Sequence, residues 1–343
     1  MGRIKYLIVV SWVIAIAFLA GLSALSGNVV RAGQRISKTS QLGPPPGSYT
    51  TDVDQDKFIL PFTFYGMNLM VDARMNGADI KMLIDNGVMW DELLFYGSDL
   101  VDGLGMDYEG GVLVTGAGDD RDKGIESYTA TGVSISFGPV TFHDQAAVIT
   151  SKASGWADFF PGIAGQVCGA LFKHFVVEFD FDEQNLILHR RETFQYQGKG
   201  SPVAMTRDEN GAYAIPVKVK TRDKPAVDYS LFIDLGGINP MALVISEKYG
   251  IEKPGGDKVY LAHGASGEIT GYRDVLESVT IGGYELNDVP VVLTEADDEG
   301  DHTNKTLGLP LLMHFNLVFD YFNETLYLEP NEHFAGSFET PTD

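Results

Sequence analysis

The chain has 343 residues, 25 Lys and Arg against 47 Asp and Glu, a formal net charge of −22, 44% apolar residues and a single cysteine. That composition excludes a disordered chain, a collagen and a disulfide scaffold, while the length allows two compact units that each bury a core unaided. Residues 1–51 hold five basic side chains and no acid, so the acidity is confined to the remainder, a body that repels phosphate backbones and argues against a nucleic-acid partner.

In chain order, the first feature is an uncharged run of 25 residues between Lys5 and Arg31. Tyr6 to Leu25 is apolar apart from Ser11, Gly21 and Ser23. Twenty residues at about 1.5 Å rise span the roughly 30 Å hydrocarbon core of a bilayer. Residues 1–27 therefore read as a membrane anchor, with a cleaved signal peptide as the alternative, since a signal's apolar region is usually shorter. Either reading expects an exported body on the periplasmic or extracellular side, and the anchor reading tethers it to the cytoplasmic membrane by this segment. Residues 28–56, with Pro44, Pro45 and Pro46 amid Gly, Ser and Thr, read as a tether.

From residue 57 onward the chain reads as all-β. Runs rich in Val, Ile, Phe, Thr and Tyr predict strands over 58–64, 69–75, 79–85, 127–137, 140–149, 175–180 and 185–189, with partners later in the chain. Asn76-Gly77, Phe137-Gly138-Pro139 and Gly282-Gly283 predict hairpin turns. Helical signal is confined to 169–174, 240–249 and 309–314. Regular alternation of strand and helix is absent, which argues against a doubly wound sheet or a barrel enzyme.

The same pattern is written twice. Leu171–Phe194 aligns without a gap on Leu311–Phe334, with nine of 24 positions identical, among them His174/His314, Phe179/Phe319 and Asp180/Asp320. Upstream, Ser134–Ile149 matches Ser278–Leu293, and Leu83-Ile84-Asp85-Asn86-Gly87 matches Phe232-Ile233-Asp234-Leu235-Gly236. The opening strands Phe58-Ile59-Leu60-Pro61 and Tyr213-Ala214-Ile215-Pro216 align as well. A repeat this long is a duplicated domain, because solenoid periods are only about 20–50 residues. Two lobes follow, 57–197 and 198–343.

Chemistry concentrates on the repeated Asp-x-Gly. In each half a buried-type strand runs straight into an aspartate, a position that is costly unless the carboxylate is hydrogen-bonded or used. One copy reads as a local turn. Two copies in equivalent places of a duplicated fold can be brought together by a pseudo-two-fold axis, and paired carboxyls share a proton because like charges in contact cannot both ionise. One then acts as base on a water while the other polarises a carbonyl.

With these residues in view, the chain resembles the pepsin-like and retropepsin-like aspartic proteases, and most closely the bacterial aspartyl protease family, over about residues 57–334. The resemblance implies a two-lobed pepsin-like architecture of two tandem retropepsin-like β-barrel lobes, and an endopeptidase acting on a protein or peptide substrate without metal or organic cofactor. It implies Asp85 and Asp234 as the catalytic pair, with Asn86, Gly87, Leu235 and Gly236 completing the loops. Flap hairpins would lie at Thr115-Gly116-Ala117-Gly118 and His263-Gly264-Ala265-Ser266-Gly267. An apolar-apolar-Gly element beside each active strand would be Ile163-Ala164-Gly165 and Thr306-Leu307-Gly308, although the aligned blocks set Cys168 opposite Gly308 and favour a shift to Val167-Cys168-Gly169. In the family the residue between Asp and Gly is a Thr or Ser whose hydroxyl bridges the two loops. Asn86 could replace that bond in part and Leu235 could not, so the rival expectation is a pseudoprotease that binds extended peptides without cutting them.

Other motifs carry less. Gly116-Ala117-Gly118 has Arg121 where a dinucleotide fingerprint needs its third glycine, Ser266 lacks a nucleophile elbow, and the seven histidines show no metal-ligand spacing. Asp119-Asp120-Arg121-Asp122 and Asp297-Asp298-Glu299-Gly300-Asp301 read as solvated loops, and Asp180 and Asp320 as turn formers.

Overall fold

The computed structural model of the chain describes residues 5–8, 47–87, 93–120, 122–208, 211–295, 306–336 and 338. They form two all-β lobes in a two-lobed pepsin-like arrangement. In the first lobe the strands that position the site are Lys57–Tyr65, Asn68–Met75, Ala78–Ile84, Leu93–Phe95 and Gly165–Val167, with the long hairpin Ile125–Phe137/Val140–Thr150 wrapped against them. The second lobe repeats the set as Tyr213–Lys220, Val227–Asp234, Met241–Val244 and Thr306–Gly308 with the hairpin Gly267–Ile281/Tyr284–Thr294. Strand interiors alternate buried and exposed residues where one face meets solvent, as in Lys57–Tyr65. They become continuously buried where the strand enters the core, as at Met82-Leu83-Ile84. Asn76-Gly77 turns with φ of 50° and 84° and Gly282-Gly283 with 60° and 89°, the positive angles that two-residue hairpins demand.

The lobes join through strands Phe175–Asp180 and Phe315–Asp320, which pair antiparallel. Val177 faces Phe319 and Phe179 faces Leu317, while Glu178 faces Val318, its own counterpart in the aligned repeat. A residue can pair with its own counterpart only on the axis that relates the two copies, so the pseudo-two-fold passes through that pair. Around it Phe172, Phe179 and Phe319 pack edge-to-face, with Phe179–Phe319 centroids 5.9 Å apart and planes at 87°. One apolar core runs through both lobes.

Several sequence expectations are corrected. Phe58-Ile59-Leu60-Pro61 does not correspond to Tyr213–Pro216. Leu186 pairs with Leu60, and its counterpart Leu326 pairs with Val203, so the second copy of the opening strand is Ser201–Ala204. Tyr213–Lys220 instead plays the part of Asn68–Met75, since Ile215 faces Leu231 as Val71 faces Met82. Two apolar strands of equal period followed one another, and the alignment took the wrong one. The helix expected over 240–249 is a buried strand, Met241–Val244, followed by a 3₁₀ turn Glu247–Tyr249. Pairing to Tyr284–Thr294 and Thr306–Gly308 on its two sides overrides the local helical signal.

The tether expectation fails over its last residues. Ser48–Thr51 pairs with Val140–His143, and Tyr49 packs against Phe142, His174 and Phe175. Arg190 fastens this strand, donating to Gln55 C=O at 2.8 Å, Thr51 Oγ1 at 3.1 Å and Tyr49 Oη at 3.3 Å. Of the N-terminal apolar run, Lys5–Ile8 forms a strand parallel to Val112–Thr115, and residues 9–46 lie outside the described residues. No helix among the described residues is long and apolar enough to cross a membrane.

His174 sits on the short helix Gly169–His174 against Tyr49 and Phe142, and its Nε2 has no hydrogen-bond partner. Burial lowers its pKa to about 4. A histidine held neutral in the fold but free to protonate when unfolded stabilises the protein fully above its ordinary value near 6.5 and loses that contribution as pH falls toward 4, on the order of 2 kcal/mol. His174→Phe keeps an aromatic ring in the pocket and removes the titration. Its melting temperature should fall less between pH 7 and pH 4.5 than that of the parent, by a few degrees. Parallel pH-melting curves decide it.

Candidate active site

Strand Ala78–Ile84 ends at Asp85, whose N–H donates to Val167 C=O at 3.1 Å before the chain turns. The N–H of Gly87 folds back to Asp85 Oδ1 at 2.8 Å, and in the other lobe Gly236 N–H reaches Asp234 Oδ1 at 3.0 Å. The two loops approach so closely that glycine is obligatory. A Cβ on Gly87 would lie 2.8 Å from Asp234 Oδ1 and 3.0 Å from Asp85 Oδ1, and one on Gly236 would lie 2.6 Å from Asp85 Cγ. A single methyl-sized object would touch both carboxyls, so Asp85 and Asp234 share one small space. Both are buried, with 0% and 2% exposure. Two carboxyls so placed disfavour each other's charged form.

The loops are bridged from one side. Asn86 Nδ2 donates to Ile233 C=O at 3.3 Å, and its Oδ1 accepts from Leu235 N–H at 2.8 Å. One amide thus both donates to and accepts from the opposite loop. Leu235, fully buried in the core, has no side-chain polar atom with which to return the bond. Asn86 Nδ2 also donates to Tyr321 Oη at 3.0 Å. Tyr321 is stacked between Phe172 (5.2 Å, 25°) and Tyr213 (4.0 Å, 22°), and burial raises its phenol above the ordinary range, so it stays neutral beside the pair. Sequence reasoning did not single out Tyr321; its only mark was the Phe-Asp-aromatic step shared with Phe179-Asp180-Phe181.

Parallel pairing settles the element beside each active strand. Val167 faces Ile84 as Leu307 faces Ile233, so Gln166-Val167-Cys168 corresponds to Thr306-Leu307-Gly308 and Ile163-Ala164-Gly165 does not. Gly308 is constrained by its surroundings, since a Cβ there would meet Asn239 C=O at 2.1 Å. The first lobe carries the buried Cys168 in that place. Gln166, also missed by sequence reasoning, is buried and donates from Nε2 to Asp85 Oδ2 at 2.6 Å. Nearby Tyr96 is enclosed, and burial reinforced by the charges of Asp85 and Cys168 raises its phenol well above its usual value.

Both flap candidates are hairpin tips, and they meet each other. Ser266 N–H donates to Ala117 C=O at 2.9 Å, and Asp119 N–H to Glu268 C=O at 2.8 Å. Gly118, at φ +152°, passes so near that a Cβ would fall 2.1 Å from the Ser266 carbonyl carbon, and a Cβ on Gly264 would fall 2.1 Å from Ala117 C=O. Ser266 Oγ accepts from Gly116 N–H at 3.1 Å and donates to Lys123 C=O at 2.9 Å, while Gly267, at φ +99°, completes the second tip. Asp119, expected in a solvated loop, instead accepts from Thr270 N–H at 3.1 Å and from the Thr270 hydroxyl. The second acidic loop, Asp297–Asp301, lies outside the described residues. Outside the tips an open cavity of about 710 Å³ is walled by Trp156, Phe159 and His263, with Phe159 stacked on His263 at 5.0 Å. Ser266→Ala leaves two backbone groups of the first tip without their partner, a loss of about 1–3 kcal/mol confined to the tips. Amide hydrogen exchange at residues 116–118 should accelerate at least tenfold while exchange in strand Phe175–Asp180 stays unchanged.

Asp180 and Asp320 are turn formers: Asp180 Oδ1 accepts from Glu183 N–H at 3.0 Å and Asp320 Oδ1 from Asn323 N–H at 3.0 Å. His314 Nδ1 bonds to His333 C=O at 2.6 Å, far in role from any nucleophile.

No family model and no curated protein matches the chain. Among solved structures it is similar to an aspartic proteinase from Irpex lacteus, with 16% identity, 83% of this chain and 100% of that chain covered, and a TM-score of 0.46. It is also similar to basic 7S globulin from soybean, with 12% identity, coverage of 82% and 97%, and a TM-score of 0.47. The likeness is one of shape.

Proposed function

We propose that the chain is an aspartic endopeptidase in which Asp85 and Asp234 share one proton and activate a water against a peptide carbonyl. The observation that carries this reading is the packing of two buried Asp-x-Gly loops against each other, each glycine held against the aspartate of the opposite loop. In the reaction the carboxylate takes a proton as the water oxygen bonds to the carbonyl carbon, and the carboxylic acid gives its proton to the carbonyl oxygen. Collapse of the resulting diol then breaks the C–N bond with proton transfer to the amine. The burial of both carboxyls strengthens each of these charge interactions. The substrate is an extended chain, which the hairpin tips can cover once they have opened to admit it.

The test is cleavage of a mixed peptide library from pH 3 to pH 7, with and without a pepstatin-type inhibitor. Cleavage that peaks below neutral pH and is suppressed by the inhibitor is the expected result. A rate flat from acid to neutral pH counts against the pair. Inhibitor-dependent thermal stabilisation without any cleavage replaces this reading with that of a peptide-binding pseudoprotease, which the missing hydroxyl at Leu235 favours. Export with the N-terminal run as anchor is proposed on its uncharged length alone, and resistance of the full-length chain to carbonate extraction tests it.

A further inference from the structure

We propose that Gln166 decides which member of the pair carries the charge: it holds Asp85 as the carboxylate and leaves the shared proton on Asp234. This rests on the reading of the two aspartates as one catalytic unit and adds to it a division of roles.

Gln166 stands opposite Leu83 in the parallel pairing of Gly165–Val167 with Met82–Ile84, two residues before Asp85 and on the same face of the sheet. Its side chain is buried, and Nε2 lies 2.6 Å from Asp85 Oδ2. An amide N–H can only donate, and a donor bound to a carboxylate is stronger than the same donor bound to a carboxylic acid. Asp85 Oδ1 already accepts from Gly87 N–H. Both oxygens of Asp85 therefore face N–H donors, and a proton placed on either would stand against one of them. At the equivalent place the second lobe carries Thr306 and not an amide. Thr306 faces Phe232 as Gln166 faces Leu83, and its hydroxyl sits on Cβ, two carbons short of a glutamine amide's reach.

Among the described residues the other titratable groups around Asp85 are Asp234, Tyr96, Cys168 and, through Asn86, Tyr321. Tyr96 and Tyr321 are both raised by burial and remain neutral from acid to neutral pH. The Cys168 thiol is engaged with Gln166 C=O at 3.8 Å. Gln166 is thus a positioning residue with a directional effect. Asp85 becomes the base that takes the water's proton, and Asp234 the acid that gives its proton to the carbonyl oxygen.

The consequence for pH is one-sided. Losing the first proton of the pair makes the Asp85 carboxylate, which Gln166 stabilises; losing the second changes Asp234 only, with Asp85 charged before and after. Removing the amide should therefore raise the lower apparent pKa and leave the upper one in place. Gln166→Met keeps the length without a donor, and Gln166→Thr copies the residue that the second lobe already packs at this position. In both variants the acid limb of the kcat/KM profile should move up by about one pH unit while the alkaline limb stays. Carboxyl ¹³C NMR titration of aspartate-labelled protein should show the same upward move for the first step of the pair. Limbs that stay put, or that move together, overturn the assignment while leaving the catalytic pair intact. If the parent chain cleaves nothing, the catalytic reading fails, and the NMR titration alone decides: a first step unmoved in both variants overturns the role of Gln166.

Discussion

Asp85→Asn or Asp234→Asn should each lower peptide cleavage by at least about 10⁴-fold, and the double variant should be little worse than either one, because groups that act as a unit are not additive. The physical reason is the shared proton. With one carboxyl replaced by an amide, the remaining aspartate cannot serve both as base toward water and as acid toward the carbonyl, and the nearby phenol of Tyr96 stays neutral. Stability should hold in Asp234→Asn but fall in Asp85→Asn, whose NH2 would have to face either the Gly87 N–H or the Gln166 amide that the carboxylate now accepts from. Single-turnover cleavage and thermal unfolding on the same preparations separate these effects. Cleavage that survives both changes assigns hydrolysis to another site and removes the basis of the proposed function.

Asn86→Leu should be the most damaging substitution for the fold among those that spare the aspartates. It would leave Leu235 N–H and Ile233 C=O buried with no side-chain partner across the lobe interface, and it also withdraws a donor from Tyr321. An unsatisfied buried polar group costs about 1–3 kcal/mol, so a loss of about 2–4 kcal/mol is expected from the pair of backbone groups, read as a lowered midpoint in urea. Activity should fall more steeply than stability, because the amide fixes the separation of the two carboxyls. Catalytic groups tolerate displacements of only about 0.5 Å. Asn86→Asp retains an acceptor for Leu235 N–H but introduces a third carboxyl beside the pair, and should therefore shift the pH profile as well as its height.

Much of this architecture was legible in the residues. The duplicated Leu171–Phe194 block places the two-fold axis, and the strand bounds it implies, 175–180 and 185–189, match the observed Phe175–Asp180 and Asn185–Arg190 within a residue. The need for Asn86 to act alone was legible because leucine has no polar side-chain atom. The opening-strand register was not, because Tyr213–Pro216 and Ser201–Ala204 both carry the apolar alternation of an inner strand, and only pairing to Thr325–Pro330 chooses between them. Gln166 was hidden for a related reason. Its function depends on which residue of a short buried strand lies beside Leu83, a matter of parallel register with no local signature. The union of the hairpin tips was equally silent, since it is made largely by backbone groups of segments far apart in sequence, such as Ala117 and Ser266.

The one-sided bridge at Asn86 has a consequence for what each half can do alone. A lobe that paired with a second copy of itself would set like against like across the axis. Two first halves would place two asparagine amides where one amide and one leucine side chain now pack, each facing the backbone of the opposite loop. Two second halves would bring leucine to leucine, with no polar contact to hold the loops apart at a set distance. Only unlike halves are complementary. What duplication supplied as two interchangeable copies has become a division of labour, in which one half reaches across with a polar side chain and the other answers with backbone alone.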